Sequence, residues 1–245
     1  MLGLEAAWEL KKAGIDVQVL EAAPILMGRQ LDENASDILR MFAEKSGVKI
    51  STGVSVEAVE GDGHVSGVRL SDGQVIPAEV VVVSAGVRAN TALAKEIGLD
   101  ADRAVKVNER METSVPNVYA CGDCAEFNGA NYAVWPEASE QGRIAGANAA
   151  GDQIEYAATA PTLTFHGMNT ALFAAGDNGK NPNLLYKTAE FKDMGKGRYS
   201  KYYFLNNRLA GVIMIGDLSD MVKITEHWKN MPCIKMCSDR KERIT

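Results

Sequence analysis

The first twenty residues show helical spacing of apolar positions followed by a run typical of a strand. Residues 3–13 form an amphipathic pattern that ends at Gly14, which predicts a helix stopped by a glycine. A β-branched strand is predicted over 16–20, and it ends at Glu21. The order helix, glycine, strand and acidic residue is that of the second half of a dinucleotide-binding βαβ unit.

The middle of the chain continues this alternation and then changes its period. A second helix is predicted over 31–46 and a short strand over 48–51. From 54–76 apolar and polar residues alternate between turn sequences, which predicts an antiparallel meander. The four consecutive valines at 80–83 predict a strand buried on both faces, and this strand leads to Gly86.

The C-terminal third combines a further helix with strand-rich segments. A short strand is predicted over 118–120 and a helix over 136–150. From residue 162 onward the pattern is typical of strands, with a hairpin turn predicted at 206–208. A last helix is predicted over 217–231.

The βαβ pattern has no counterpart of its usual first strand before Gly3. Such a strand is central in a doubly wound sheet and is covered on both faces. Losing about five buried apolar residues forfeits about 8–15 kcal/mol, which is comparable with the net stability of a domain. We therefore expect this chain to be a fragment of a longer protein, and we leave open whether Met1 is the natural start.

Composition narrows the class of protein. The chain has 245 residues, of which 46% are hydrophobic and 24% charged, with a net charge of −6. An acidic chain lacks the basic footprint of a nucleic-acid binder, and its apolar runs are too short to span a membrane. Four cysteines are too few for a disulfide scaffold of this size. These features predict a cytoplasmic protein that binds neither nucleic acid nor membrane.

The spacing of the cysteines raises a metal or dithiol hypothesis, which we consider unfavourable. Cys121 and Cys124 have Cys-x-x-Cys spacing, but they lie within a glycine-containing turn where small residues fit. Cys233 and Cys237 do not form a second pair with that spacing. No metal site is predicted.

Four stretches together carry a family resemblance. They are GLEAA at 3–7, AEVVVVSAGVRAN at 78–90, TSVPNVYACGD at 113–123 and WPEASEQG at 135–142. The chain resembles the FAD-dependent pyridine nucleotide-disulfide oxidoreductases, in the branch of the NADH:rubredoxin reductases, the NADH oxidases and the flavin portion of NADH-dependent nitrite reductases. The third stretch resembles the second FAD fingerprint of the family and is the most specific of the four.

The resemblance implies an α/β fold in three parts. Residues 1–108 would form a truncated, doubly wound NAD(P)-binding Rossmann-like domain with a β-meander. Residues 109–150 would form the returning end of an FAD domain, and residues 151–245 a small α+β C-terminal domain. The first FAD segment of the family would then lie outside this chain.

Four residues are predicted to bind NADH. Gly3 and Gly86 would let the backbone approach the dinucleotide closely. The family places a glutamate near the nicotinamide at the position of Glu5. Glu21 ends its strand where a carboxylate can accept hydrogen bonds from both ribose hydroxyls, and it would repel a 2′-phosphate, which favours NADH over NADPH.

Five residues are predicted to bind FAD. The resemblance places Gly122 in the fingerprint turn and Asp123 on the ribityl hydroxyls. Trp135, Pro136 and Glu137 open a helix whose positive end would stabilise negative charge on the reduced flavin. Their ordinary roles in an Asx turn and at a helix start stay open. No catalytic residue is predicted.

The predicted function is NADH-dependent reduction of FAD, followed by electron transfer to an acceptor such as a rubredoxin-like protein. The stretches FAAGD at 173–177 and IMIGD at 213–217 are most similar to the rubredoxin- and nitrite-reductase branch. Molecular oxygen or a disulfide are alternative acceptors, and homo-oligomerisation stays open.

As a second hypothesis, the chain is a non-catalytic remnant, or a half-subunit that needs a separate FAD-domain chain. A bare NAD-binding module is a third, but the fingerprint around Asp123 would then have no role.

Overall fold

The chain folds into two compact units. The computed structural model describes residues 1–157 and 162–227. The first unit combines Met1–Ser84 with the stretch that begins at Thr162, whereas the second is the continuous stretch Ala85–Pro161. The predicted domain boundaries at 108 and 150 stay predictions.

The first stretch of the first unit begins with two helix–strand pairs. Helix α1 (Leu2–Lys12) precedes strand β1 (Gln18–Glu21), and helix α2 (Glu33–Lys45) precedes strand β2 (Lys49–Thr52). The strands β1 and β2 pair in parallel, as expected for a βαβ crossover. Both helices place one apolar side in the core of the unit, so the predicted alternation is confirmed.

A three-stranded antiparallel meander follows. It consists of β3 (Val56–Gly61), β4 (Val65–Leu70) and β5 (Val75–Pro77), in that spatial order. Gly73 lies in the turn between β4 and β5 with φ +87°, a conformation that glycine adopts without steric cost. The meander agrees with the alternation predicted over 54–76.

The strand predicted at Val80–Val83 is wrong. These residues belong to none of the sheets formed by the described residues, and Val80, Val82 and Val83 are 75%, 58% and 78% exposed. A β-branched run becomes a buried strand only where neighbouring backbones complete its hydrogen bonds. No described strand lies beside this segment, so its propensity is not realised.

The second unit is a small α/β assembly. It contains α3 (Ala92–Glu96), the parallel strands β6 (Val105–Val107) and β7 (Ala125–Phe127), and the long helix α4 (Trp135–Ala149). Helix α4 agrees with its prediction. The strand predicted over 118–120 is reduced to an isolated antiparallel bridge between residues 112 and 119.

The second stretch of the first unit is a five-stranded antiparallel sheet in the order β10-β11-β12-β9-β8. Its strands, in chain order, are β8 (Thr162–Gly167), β9 (Thr170–Gly176), β10 (Lys187–Asp193), β11 (Arg198–Leu205) and β12 (Arg208–Ile215). Asn206 and Asn207 join the last two strands with φ +50° and +61°, as in a type I′ turn. The predicted hairpin is confirmed.

The two faces of this sheet contribute to separate cores. One face packs with α1 and α2 through residues such as Phe165 and Tyr203. The other packs with helix α5 (Met221–His227), whose Ile224 is fully buried. The predicted helix over 217–231 is observed from 221 to 227, because residues 217–220 form a turn before it, and residues 228–231 lie outside the described part of the chain, as do Cys233 and Cys237.

Among the helices in residues 1–157 and 162–227, none combines the length and the apolar character needed to cross a lipid bilayer. The predicted cytoplasmic location stays a prediction.

Candidate flavin and nucleotide site

A tight turn in the second unit carries the most specific of the predicted motifs. Residues Gly122–Cys124 form a single 3-10 turn directly before β7. Gly122 has φ +72°, and a Cβ atom at this position would lie 3.3 Å from the Cβ of Ala138 in α4. Glycine therefore meets both a conformational and a steric requirement, and it lets the turn lie close to the first residues of α4.

Side-chain amides fix the backbone of this turn from two sides. The buried Gln141 accepts a hydrogen bond from the Gly122 N–H at 2.8 Å. Asn131 donates to the carbonyl oxygens of Asp123 at 2.9 Å and Ala125 at 2.7 Å. The backbone is thus held in place while the Asp123 side chain is exposed.

The N-terminus of α4 lies next to this turn. Its capping position, Val134, has no side chain that can accept from the backbone N–H groups of the first turn, and Pro136 occupies the first turn without an N–H of its own. Trp135 is 85% exposed. The positive end of a 15-residue helix therefore lies beside the Asp123 turn.

Glu137 is half-buried and its carboxylate is bound inside the unit. Its Oε2 accepts a hydrogen bond from the Tyr156 hydroxyl at 2.8 Å. Burial first, and then this hydrogen bond, raise the pKa of Tyr156 well above its usual value. The phenol is therefore protonated over the working range of pH and donates to the carboxylate.

These residues fit a flavin adenine dinucleotide in chemical terms. An exposed carboxylate can accept hydrogen bonds from sugar-alcohol hydroxyls, and a helix N-terminus favours negative charge. A glycine with positive φ lets an extended ligand approach the backbone. The structure places the Gly122–Asp123 turn beside the first turns of α4, the helix that Trp135, Pro136 and Glu137 begin, and the role of these residues in binding FAD stays a prediction.

The predicted NADH residues of the first unit occupy the ends of α1 and β1. Gly3 lies in the first turn of α1, and a Cβ atom there would be 3.3 Å from the Cβ of Ser84. Glu5 is half-buried in the same turn, where its charge also favours the helix. The close approach of Ser84 gives Gly3 a packing role beside the predicted binding role.

Glu21 is the last residue of β1, and one of its carboxylate oxygens already accepts a hydrogen bond. Its Oε1 accepts from the Ala23 N–H at 2.8 Å, which fixes the side chain at the carboxyl end of the strand. This is the edge of a parallel sheet at which nucleotides bind. Gly86 belongs to the second unit and has φ +87° with no heavy atom near its Cβ position. The binding roles of Gly3, Glu5, Glu21 and Gly86 stay predictions.

Two residues of the FAD region were not predicted. Gln141 lies four positions after Glu137 on the same side of α4, a spacing that identifies it once the helix is known. Tyr156 follows the helix in a segment without periodicity, so no sequence signal marks it.

The two cysteines of the turn lie close to each other. The Cys124 thiol donates to the carbonyl oxygen of Cys121 at 3.2 Å. Burial, and then the neighbouring Cys124, raise the pKa of the Cys121 thiol. A thiol with a raised pKa has little thiolate at neutral pH and is a poor nucleophile.

Comparison with known families identifies the class of protein. The model of the family described as pyridine nucleotide-disulphide oxidoreductase matches residues 1–142. The model described as rubredoxin NAD+ reductase C-terminal domain matches residues 161–230. The chain belongs to the pyridine nucleotide-disulphide oxidoreductase family, which confirms the predicted resemblance.

Curated relatives name particular members of this family. The chain is 34% identical over 221 residues to a nitrite reductase [NAD(P)H] of Bacillus subtilis, covering 90% of the chain and 27% of the relative. It is 38% identical over 162 residues to an NADH oxidase of Methanocaldococcus jannaschii, covering 63% and 36%. An NADH-rubredoxin oxidoreductase of Clostridium acetobutylicum is 27% identical, with 89% and 53% covered. The chain thus spans 27% to 53% of the length of these relatives.

Solved structures confirm the predicted α/β fold class. An FAD-dependent pyridine nucleotide-disulphide oxidoreductase from Desulfovibrio vulgaris superimposes with a TM-score of 0.83 at 26% identity, covering 97% of this chain and 64% of that one. The NADH:rubredoxin oxidoreductase from Clostridium acetobutylicum gives a TM-score of 0.71 at 26% identity, covering 92% and 55%. These names confirm FAD and NADH as cofactors at the level of the family.

Proposed function

We propose that this chain contributes the nucleotide-binding surfaces of an oxidoreductase that passes a hydride from NADH to FAD and electrons onward to an acceptor. The observation that carries the proposal is the Gly122–Asp123 turn, held beside the uncapped N-terminus of α4. This turn places a carboxylate and a positive helix end within one compact unit, and both are groups that a flavin dinucleotide requires.

The residues of the chain would bind and orient, while the cofactor supplies the redox chemistry. Asp123 would accept hydrogen bonds from the ribityl hydroxyls. The first turn of α4 would stabilise negative charge on the isoalloxazine ring when FAD is reduced by hydride. Within the first unit, Glu21 would bind the adenosine ribose of NADH, and Gly3 and Glu5 would line its path.

We further propose a small redox protein of the rubredoxin type as the acceptor. The match of residues 161–230 to the C-terminal domain of rubredoxin reductases supports this class of partner. Two relatives are also named for reactions with rubredoxin.

The test compares wild type and Asp123→Asn of the full chain for FAD binding by fluorescence quenching. Hydrogen bonds to a charged group contribute about 1.5–3 kcal/mol, so we expect FAD to bind about ten- to a hundredfold more weakly to D123N. In wild type, NADH should bleach the absorbance of the bound flavin anaerobically.

Asp102→Asn is the matched control. Asp102 is an exposed aspartate of the same unit that pairs with Lys106 at 2.7 Å. This variant should bind FAD as wild type does. Equal affinities for wild type and D123N would remove Asp123 from the binding site and contradict the proposal.

The alternative function is a non-catalytic remnant, or a half-subunit that requires a separate FAD-domain chain. Under this alternative, the purified chain binds FAD poorly and gives no bleaching with NADH. Bleaching that appears only after a separate FAD-domain chain is added would establish the half-subunit.

A further inference from the structure

The hydrogen bond between Tyr156 and Glu137 joins the start of α4 to the segment that follows the helix. The Tyr156 side chain is buried, with 4% of the residue exposed, and its ring meets Phe127 edge-to-face at 5.3 Å between centroids. Its backbone N–H donates to the Glu109 carbonyl at 2.7 Å, which fixes the segment. Tyr156 is therefore a rigid donor and not a mobile surface side chain.

Gln141 connects this pair to the fingerprint turn. It lies one helical turn after Glu137, and its side-chain amide lowers the pKa of Tyr156 against the effect of burial. The same side chain accepts from the Gly122 N–H at 2.8 Å. One buried group of polar side chains thus contacts both the Asp123 turn and the first turn of α4.

Glu137 occupies a position with direct electrostatic influence on the end of the helix. It is the third residue of α4, from which a glutamate commonly reaches back toward the backbone N–H before the helix. A carboxylate in that place offsets the positive end of the helix dipole. The orientation of Glu137 therefore sets how much positive potential the helix end presents to an anion.

We propose that Tyr156 is a positioning residue that holds the Glu137 carboxylate toward the interior of the unit, so that the N-terminus of α4 favours reduced over oxidised flavin. This inference rests on the proposed function. It assigns Tyr156 a role in setting the redox balance of the flavin, acting through Glu137 without touching the cofactor.

The test is Tyr156→Phe in the full chain, which keeps the ring packed on Phe127 and removes only the hydroxyl. The readout is the ratio of the dissociation constants for reduced and oxidised FAD, measured anaerobically by titration. Without the Tyr156 hydroxyl, the Glu137 carboxylate loses one of the bonds that hold it toward the interior, and its average position shifts toward the helix end, where it disfavours the anionic reduced flavin. A charge at a helix terminus changes an equilibrium about two- to fivefold, so we expect the reduced-to-oxidised ratio to rise about threefold.

The Glu137→Gln background distinguishes a positioning role, which acts through the Glu137 charge, from a merely structural role of Tyr156. This variant lacks the charge, so adding Y156F to it should leave the ratio unchanged. Tyr119→Phe is the matched control, because Tyr119 lies in the same apolar cluster and its hydroxyl donates to the Asn148 carbonyl at 3.4 Å. The ratio in Y119F should equal that of wild type.

The outcomes separate the two proposals. If wild type binds FAD and Y156F has an unchanged ratio, the positioning role is wrong and the proposed function stands. An equal shift in Y119F, or a full effect of Y156F in the E137Q background, also overturns the role. If the wild-type chain binds no FAD, the proposed function fails and this inference fails with it.

Discussion

At the scale of single residues, a backbone hydrogen bond orients the Glu21 carboxylate at the end of strand β1. One oxygen accepts from the Ala23 N–H, so the side chain is fixed before any ligand arrives. A fixed acceptor loses less conformational entropy on binding than a free side chain does. If the proposed NADH site is correct, this carboxylate distinguishes a free ribose 2′-hydroxyl from a 2′-phosphate.

We predict that Glu21→Ala weakens NADH binding about tenfold, since a hydrogen bond to a charged acceptor contributes about 1.5 kcal/mol or more. NADPH binding should weaken less or improve, because a repulsive charge is removed. Dissociation constants from nucleotide fluorescence measure both. Glu9→Ala is the control, since Glu9 is exposed on α1 and pairs only with Lys12 among the salt bridges of the described residues. Equal losses for the two nucleotides would count against this role.

Some residues of the candidate sites can be predicted from the sequence alone, and others cannot. Glu21 and Asp123 follow strand-like segments, and this position is visible without a structure. Gln141 becomes visible only after α4 is placed. Tyr156 has no local signature, because its role depends on packing against Phe127 and on meeting Glu137 nineteen residues away.

At the scale of elements, helix α2 is anchored to the C-terminal sheet by its own cap. Asp32 accepts from the Ala35 N–H at 2.9 Å, as expected of an N-cap. Its other oxygen accepts from Lys201 Nζ and from the Tyr203 hydroxyl, each at 2.7 Å. One carboxylate therefore stabilises a helix terminus and joins it to β11.

We predict that Asp32→Ala lowers the free energy of unfolding by about 2–4 kcal/mol. The loss combines a missing N-cap with a Lys201 ammonium left without its partner at a mostly buried site. Chemical denaturation measures the change. Asp37→Ala on the exposed side of the same helix is the control, and it should change stability by less than about 0.5 kcal/mol. Equal losses for both variants would refute the capping role.

Because of the Asp32 carboxylate, we also predict that the free energy of unfolding depends on pH. Burial acts to raise the pKa of Asp32, but hydrogen bonds from Lys201, Ala35 and Tyr203 outweigh it and lower the pKa below its usual value. A lowered pKa in the folded state gives stability that is present above about pH 4 and is lost as the pH falls through the folded value. The difference in stability between wild type and D32A should therefore shrink in acid.

The elements that the sequence predicts correctly are those with local causes. Helices α1, α2 and α4 have apolar periodicity, and the β11–β12 hairpin has its Asn-Asn turn. The strand expected at Val80–Val83 required partner backbones, which no local pattern can supply. The single bridge near residue 119 has the same cause, because pairing is a property of two segments.

At the scale of the whole molecule, the C-terminal sheet separates two apolar cores. Phe165 on β8 and Phe173 on β9 are both buried, but they belong to different clusters. Phe165 lies in the core that includes α1 and α2, whereas Phe173 lies in the core that includes α5. The sequence did not predict that the segment after 162 would share a core with α1 and α2, since this contact crosses most of the chain.

We predict that Phe165→Ala and Phe173→Ala each destabilise the first unit by about 3–5 kcal/mol, but in different places. F165A should reduce hydrogen-exchange protection mainly in α1 and α2, and F173A mainly in α5 and β10. Exchange measured by mass spectrometry at peptide resolution distinguishes these patterns, with each variant serving as the control for the other. Loss of protection in the same elements for both variants would show that the cores are not separate.

The first unit is built from two stretches that are far apart in the sequence, and this affects the order in which the units fold during synthesis. Its core requires Leu39 of α2 and Ile213 of β12, and the whole of Ala85–Pro161 leaves the ribosome between them. At 5–20 residues per second, the earlier stretch waits roughly ten seconds or more for its partner strands. The continuous unit has all its residues available first. The earlier stretch of the first unit therefore acquires its complete interior only after the second unit is made, and its apolar surfaces are meanwhile exposed to aggregation.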